Sequence, residues 1–239
     1  MLGGNKITSV VSVYNEEKTV KSVVYSLLNC VYIDELIVVN DGSTDNTSKI
    51  LNQILLTHPF QYVEFNKNRG KSYAMTAGVE QAKGDVIVFI DADLIGLNCN
   101  HIKKLVDPLV NGNTRMVIGR RVSETNPKID ITGPLDDWLG GERAVYKEDL
   151  MPILDEMKET KFGVETLLNL YFKSKSNKNT KTLIVDLEGL VHIRKYQKYK
   201  WNQAVFNYSK SASQIIRTVF VNYFLVGMVV KNIFLNIRG

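Results

Sequence analysis

Acidic and amide side chains follow three apolar stretches of the sequence, each at the point where a strand is predicted to end. Asn15 and Glu16 follow the first stretch, Asp41 follows the second, and Asp91 and Asp93 follow the third. If these strands are parallel, their carboxyl ends share one edge of a sheet, which is where such sheets bind ligands. Independent turns would not need an acid at each end, so the pattern predicts a binding site.

The spacing of Asp91 and Asp93 is the most informative part of this pattern. Extended residues two positions apart point the same way, so the two carboxylates are expected side by side. Adjacent carboxylates repel each other unless a cation lies near them. Oxygen donors of this kind suit Mg²⁺ or Mn²⁺, which also hold phosphate oxygens. The alternative is a solvated turn that carries two acids.

A basic helix start in "NKNRGKSYAM" (66–75) supplies the opposite charge. Arg69, Gly70 and Lys71 open a predicted helix, and the first N–H groups of a helix together with a lysine form an anion site. The segment does not match the P-loop pattern, and the chain has no GxGxxG dinucleotide fingerprint. The alternative is an ordinary helix start with exposed basic residues.

Alternating strand and helix patterns must position these groups. Apolar runs predict six strands, near 7–13, 35–39, 61–65, 85–90, 115–119 and 182–187. Amphipathic or small-residue patterns predict helices, near 20–28, 50–55, 71–83, 101–111, 147–157 and 163–174. Strands that are apolar on both faces and alternate with helices favour an α/β fold with a mostly parallel sheet flanked by helices.

The regular alternation breaks after about residue 122, and the last part of the chain leans helical. We therefore predict an α/β domain over residues 1–195 and a helical C-terminal extension over residues 196–239. The whole chain has 239 residues, 44% of them hydrophobic, and carries a net charge of +5. That charge favours an anionic partner such as a nucleotide, a phosphorylated substrate or a membrane surface.

The cysteines, the N-terminus and the length of the apolar stretches indicate the cellular compartment of the protein. Cys30 and Cys99 form neither a metal-type spacing nor a disulfide framework, so reduced thiols are expected. The N-terminus lacks a signal-peptide pattern, and the chain has no apolar stretch of the length that spans a bilayer. These features predict a cytoplasmic protein.

Four segments, taken in order, resemble the family 2 glycosyltransferases, which have the GT-A fold. They are "VSVYNEEKTV", "IVVNDGSTDNT", "NRGKSYAMTAGVEQAKGDVIVFIDADL" and "GGERAVYKEDL", and the likeness covers about residues 5–170. Members often have a proline before the Tyr-Asn-Glu sequence, whereas Val13 lies nearby here. The resemblance implies a metal-dependent enzyme that uses Mg²⁺ or Mn²⁺ and a UDP- or GDP-sugar, with no nucleic-acid partner.

The resemblance also assigns roles at the sheet edge. It places seven residues against the donor: Tyr14, Glu16, Asp41, Arg69, Lys71, Asp91 and Ala92. Asp41 would contact the base, Tyr14 and Glu16 would line the base and ribose, and Lys71 would lie near the phosphates. Asp93 would bind the metal, with Asp91 on the ribose or on metal-bound water.

Two glutamates lie in the half of the family pattern that binds the acceptor. Glu165, at a predicted helix start, matches the general base that inverting members use. The alternative interpretation of Glu165 is an exposed acidic residue on a helix. Glu142 follows two glycines, where backbone can approach a substrate closely. Its alternative is a structural salt bridge with Arg143.

The segment "VDLEGLVHIRK" (185–195) is similar to one in glucosyl-3-phosphoglycerate synthases, where a histidine joins the metal site. By that resemblance His192 is a third metal ligand, since imidazole suits Mn²⁺. A packing or surface histidine is the alternative. A deep likeness to these enzymes would imply retention of anomeric configuration, with Glu165 positioning the acceptor.

The segment from 215 to 237 is strongly apolar, but its longest uncharged run, Thr218 to Val230, has only 13 residues. Three interpretations remain open: a helix lying in a membrane surface, a homodimer interface, or a helix packed on the core. Membrane contact would make the protein peripheral on the inner face and would favour a lipid-linked acceptor, either a lipid phosphate or a membrane glycan. A synthase of a soluble phosphorylated glycoside and a non-catalytic nucleotide-sugar binder are the alternative functions.

Overall fold

The computed structural model describes residues 4–112, 114–122, 140–160, 163–175, 181–192, 213 and 216–237. The described part of the chain builds one seven-stranded sheet with helices on both faces and a small two-stranded sheet at one end. The predicted boundary at residue 195 falls outside the described residues, so the division into two parts stays a prediction.

The main sheet has the strand order β3-β2-β1-β4-β7-β6-β8. Its strands are β1 (Ile7–Val13), β2 (Glu35–Asn40), β3 (Gln61–Glu64), β4 (Val86–Asp91), β6 (Thr114–Val122), β7 (Arg143–Tyr146) and β8 (Lys181–Glu188). Only β7 runs antiparallel to its two neighbours, β4 and β6. The six other strands are therefore parallel, and their carboxyl ends share one edge of the sheet.

The helices follow the strands along the chain. They are α1 (Val20–Leu28), α2 (Thr47–Leu55), α3 (Lys71–Gln81), α4 (Cys99–Val110), α5 (Lys147–Leu150), α6 (Leu154–Glu159), α7 (Val164–Lys175) and α8 (Tyr223–Ile237). A 3₁₀ turn, Met151–Ile153, joins α5 to α6. The pattern near 147–157, predicted as a single helix, is thus divided into three short pieces.

Alternation along the strands produces two cores. In β1, Val11 and Val13 face one cluster with α1, α2 and α4, whereas Val10 faces the other with α3 and α7. The predicted sheet, mostly parallel and covered on both sides, is confirmed. The sequence patterns did not reveal β7 or the small sheet of β5 (Leu94–Ile95) and β9 (Val191–His192).

Cys30 and Cys99 form a disulfide, so the expectation of reduced thiols is wrong. Cys30 follows α1 and Cys99 begins α4, with their Cα atoms 5.0 Å apart. The two residues are separated by 69 positions, and only the fold brings the two helix ends together. The bond ties α1 to the helix that follows the two aspartates.

The C-terminal helical residues have one packed side and one open side. Thr218 and Leu225 are buried, and Leu225 joins the core cluster that contains Leu167 and Leu168 of α7. Eight large apolar side chains between residues 216 and 230 are exposed. We call six of them the C-terminal apolar face: Ile216, Phe220, Val221, Tyr223, Phe224 and Val230. No helix among the described residues is long and apolar enough to cross a bilayer.

Candidate active site

The loops after β1 and β2 are joined to each other at the carboxyl edge of the sheet. Asn15 has a positive φ of 57°, which asparagine tolerates better than most residues. Its backbone N–H donates to Ser43 Oγ at 3.0 Å, and the Thr44 N–H donates to Asn15 Oδ1 at 2.7 Å. The two loops therefore form one rigid wall, from which Tyr14 projects with 40% of its surface exposed.

Asp41 is buried at the end of β2 and accepts two backbone hydrogen bonds from the loop before α3. The N–H groups of Arg69 and Gly70 donate to its two carboxylate oxygens at 2.7 and 2.8 Å. Burial raises the pKa of the Asp41 carboxyl, and the two N–H donors oppose that rise. Gly42 makes the approach possible, because a Cβ there would lie 2.4 Å from the Lys67 carbonyl carbon.

Arg69 lies beside this acid, and its charge helps to lower the pKa of the Asp41 carboxyl. The guanidinium carbon stacks 3.5 Å from the ring centroid of Tyr73 and 5.7 Å from that of Phe65. Glu16 lies in the neighbouring loop, where its backbone N–H donates to Thr47 Oγ1 at 2.9 Å. The predicted donor residues near the base thus come from three loops that contact one another.

Lys71 joins the two halves of the candidate site. It is the first residue of α3, and its Nζ lies 2.7 Å from Asp91 Oδ1 and 2.7 Å from Glu165 Oε1. Burial alone would lower the pKa of Lys71, but the two adjacent carboxylates raise it well above its ordinary value. The predicted phosphate ligand, a predicted metal-site acid and the predicted base are therefore in direct contact.

The backbone of Gly141 packs against the Asp91 carboxylate. A Cβ at position 141 would lie 2.1 Å from Asp91 Oδ2, so no other residue type fits without moving the acid. The glycine pair before Glu142 was expected to let backbone approach a substrate. In the structure the Asp91 carboxylate occupies the space beside Gly141.

Arg143 supports this arrangement from inside the core. It is fully buried, and it donates from Nε to the Gly140 carbonyl at 2.8 Å and from Nη1 to Asn169 Oδ1 at 2.7 Å. Asn169 lies four residues after Glu165 on α7, so the two side chains share one face of the helix. Burial lowers the pKa of Arg143 to about 10, which leaves it charged at neutral pH.

Glu142 takes a different partner from the one suggested by sequence. Its carboxylate pairs with Arg121 at 2.9 Å and has no exposed surface, whereas Arg143 bonds to Gly140 and Asn169. Burial raises the pKa of Glu142, against the effect of the Arg121 charge. A buried, paired carboxylate of this kind connects β6 to the start of β7, whereas Glu165 pairs with Lys71.

Asp93 lies in the turn between β4 and β5, with the buried Ala92 between it and Asp91. β5 pairs with β9 so that Leu94 is opposite His192, which brings the backbone of His192 next to the aspartate turn. The role predicted for the His192 side chain lies outside what the structure describes. The described residues contain no group of three metal-ligand side chains, but the oxygens of Asp91 and Asp93 are donors that fit a hard divalent cation.

The sequence that carries this site matches the model of a known protein family. The model described as "Glycosyl transferase family 2" matches residues 8–135, which is more than half of the chain. The chain belongs to glycosyl transferase family 2. The match includes every residue assigned to the donor, whereas Glu142, Glu165 and His192 lie beyond it.

Curated relatives match this family 2 chain over a shorter stretch. The poly-beta-1,6-N-acetyl-D-glucosamine synthases of Staphylococcus epidermidis and Staphylococcus aureus (strain COL) are each 37% identical over 90 residues. That stretch is 37% of this chain and 22% of each relative. The matched stretch is therefore less than a quarter of the length of these synthases.

Solved structures match nearly the whole chain at lower identity. Glucosyl-3-phosphoglycerate synthase from Mycobacterium tuberculosis, in complex with Mn²⁺, UDP and phosphoglyceric acid, has a TM-score of 0.71 at 24% identity. The match covers 91% of this chain and 78% of that one. A complex of the same enzyme with Mg²⁺ and UDP matches with a TM-score of 0.70, also at 24% identity, over 91% of this chain and 79% of that one. This likeness confirms the GT-A fold.

Proposed function

We propose that this family 2 chain transfers a hexose from a nucleotide-diphosphate sugar, UDP- or GDP-linked, to an acceptor oxygen. The observation that carries the proposal is the contact of Lys71 with both Asp91 and Glu165. It joins the end of β4, where the donor half of the family pattern ends, to the start of α7, which we assign to the acceptor side. A cation-binding acid and a candidate base then lie on either side of one ammonium group.

The protein's residues would divide the work as follows. The wall formed by Tyr14, Glu16 and Asp41 would hold the base and ribose, since its loops are already fixed by hydrogen bonds to one another. Lys71 would turn from the carboxylates toward the diphosphate, whose negative charge grows as the sugar leaves. Glu165 would accept the proton of the acceptor hydroxyl or hold the acceptor in place.

Asp91 and Asp93 would hold Mg²⁺ or Mn²⁺, which when bound supplies positive charge to the departing diphosphate. The pairing of Leu94 with His192 supports the imidazole as a third ligand, because it brings that residue's backbone next to Asp93. Both metals occur in the complexes of the Mycobacterium tuberculosis synthase.

A lipid phosphate or membrane glycan is the acceptor class that we favour. Its support is the C-terminal apolar face, which leaves large apolar side chains exposed on the chain that carries the site. A soluble phosphorylated acceptor is the second candidate. Its support is the fold-level likeness to a synthase solved with phosphoglyceric acid.

Ligand-induced thermal stabilisation tests donor binding without knowledge of the acceptor. UDP-, GDP- and ADP-sugars are compared with Mn²⁺ present and with the metal chelated. A true donor at about one hundred times its Kd should raise the Tm by about 5–10 °C, and only with metal present. No shift with any of the three donors would contradict the proposal.

Substitutions then separate an enzyme from a non-catalytic binder. Asp93→Asn should abolish release of nucleoside diphosphate from the stabilising donor, whereas Asp107→Asn on the outer surface of α4 should leave it unchanged. Donor binding without turnover against lipid phosphates, membrane glycans and phosphorylated hydroxy acids would favour the binder. Proton NMR of the product gives the anomeric configuration: inversion assigns Glu165 as the base, and retention assigns it to acceptor positioning.

A further inference from the structure

The C-terminal apolar face is the largest group of exposed apolar side chains in the described part of the chain. Phe220 is 81% exposed and Tyr223 is 77% exposed, although both are large and apolar enough to favour burial. Scattered exposed residues of this kind are common on protein surfaces, but a contiguous patch marks an interaction site.

Packing fixes which side of this helical segment faces outward. Thr218 and Leu225 are buried, and Asn222 and Val226 are partly buried, a spacing of one or two helical turns. This stripe lies against α7 and its core cluster. The exposed apolar side chains therefore remain outside when the helix is docked, and they need an occupant of their own.

The distribution of charge indicates the nature of that occupant. All 25 acidic residues of the chain precede position 189, whereas eight of its 30 lysines and arginines follow that position. Between residues 216 and 231 the only charged side chains are Arg217 and Lys231, both exposed and near the two ends of the face. An apolar face flanked only by cations complements an anionic surface.

A second copy of the chain fits this face less well. A symmetric dimer through the same patch would bring Arg217 and Lys231 of both copies together, with no acid among the last 51 residues to offset them. A membrane leaflet with anionic lipids provides apolar contact and negative charge at once.

We propose that the C-terminal apolar face inserts into the interfacial region of a membrane leaflet rich in anionic lipid. The helical residues 216–231 lie parallel to the surface, with Phe220, Tyr223 and Phe224 among the acyl chains. Arg217 and Lys231 lie at the level of the headgroups. The inference does not depend on the transfer reaction, because it rests only on exposure and charge.

Vesicle co-sedimentation of the full chain, without donor or metal, tests the proposal. Vesicles of phosphatidylcholine alone are compared with vesicles of equal parts phosphatidylcholine and phosphatidylglycerol. Binding to the anionic vesicles should be clear at low salt and should weaken as salt is added. Failure to sediment with the anionic vesicles at low salt would overturn the proposal.

Substitutions identify the face responsible. The double change Phe220→Ser with Phe224→Ser should weaken binding about tenfold or more, because it removes two apolar anchors. Leu56→Ser, at an 86% exposed position after α2, is the matched control and should have no effect. Arg217→Gln and Lys231→Gln should each reduce binding to the anionic vesicles about fivefold.

Two further measurements separate the alternatives. If the wild type and the double serine variant have the same Tm, the loss of vesicle binding reflects the altered face and not misfolding. Tyr223→Ser provides a second test with a single substitution. Sedimentation velocity measures self-association. A dimer that disappears in the double variant, or vesicle binding that the substitutions do not change, would contradict the membrane assignment.

Discussion

Lys71 provides the positive charge that allows Asp91 and Glu165 to lie close together in a largely enclosed site. The same charge would meet the donor phosphates during transfer. By that proposal a single ammonium group would exchange its carboxylate partners for phosphate oxygens. A substitution at this position is therefore expected to affect both the two acids and donor binding.

Lys71→Ala should reduce transfer about 10²–10³-fold. The substitution removes the ammonium group that would stabilise the negative charge developing on the diphosphate. It should also lower the free energy of unfolding by about 1–3 kcal/mol, since two partly buried carboxylates lose their partner. Mn²⁺ should then raise the Tm of the variant more than that of wild type, because the metal can replace the missing charge beside Asp91.

The control for this prediction is Lys103→Ala. Lys103 also pairs with an acid, Asp107, but on the exposed surface of α4, where such pairs contribute little. Its Mn²⁺ response should equal that of wild type. An equal Mn²⁺ response in Lys71→Ala would show that Lys71 and the metal do not share Asp91.

Gly141→Ala should lower the transfer rate about a hundredfold while the protein still folds. The added methyl group would lie 2.1 Å from Asp91 Oδ2 and must displace that carboxylate from its place at the end of β4. Steady-state kinetics with the identified donor measure the loss. Gly227→Ala, where nothing lies within 4 Å of the added carbon, should leave kcat within error of wild type.

At the scale of elements, the disulfide connects α1 to α4 across the chain. Replacing Cys30 and Cys99 together by serine should lower the free energy of unfolding by about 2–4 kcal/mol, because the closed loop spans 69 positions of the unfolded chain. Urea unfolding of the variant, with and without reductant, measures the difference.

Wild type in reductant is the matched comparison for the cysteine variant. Its stability should fall to about that of the double serine variant, and reductant should not change the variant further. Thiol titration of the denatured, unreduced wild type should detect no free cysteine. Detection of two thiols per chain would contradict the disulfide and would support the reduced cysteines expected from the sequence.

The elements differ in how well sequence predicts them, for physical reasons. β4 is evident because five buried residues in succession precede Asp91, a run that few other structures produce. β7 has only four residues and begins with an arginine, yet it is fully part of the sheet because Arg143 is satisfied by Gly140 and Asn169. A buried arginine with tertiary partners has no local signal.

The candidate site likewise has features that the sequence predicts and features that it does not. The acids at strand ends could be predicted, since each follows a recognisable strand. The contacts of Lys71 with Glu165 and of Gly141 with Asp91 could not, because they join residues 94 and 50 positions apart through the packing of β7 and α7. Sequence therefore predicted candidate groups, and the tertiary structure determined which of them touch.

At the scale of the whole molecule, the C-terminal helix stabilises the fold through one side only. Leu225→Ala should lower the free energy of unfolding by about 2–4 kcal/mol, because Leu225 is buried in the cluster with α7. Phe220→Ala, on the exposed side, should change it by no more than about 0.5 kcal/mol. Chemical denaturation measures both, and equal losses would show that the two sides are not distinct.

The position of β7 in the sheet has a consequence for synthesis on the ribosome. β1 to β4 can pair in the order in which they emerge, but β6 hydrogen-bonds only to β7 and β8 among the described strands, and both are made later. A nascent chain that ends before residue 143 therefore carries β6 with an unpaired backbone. Translation that pauses there would expose this strand to other chains, and release of β7 joins it to the growing sheet.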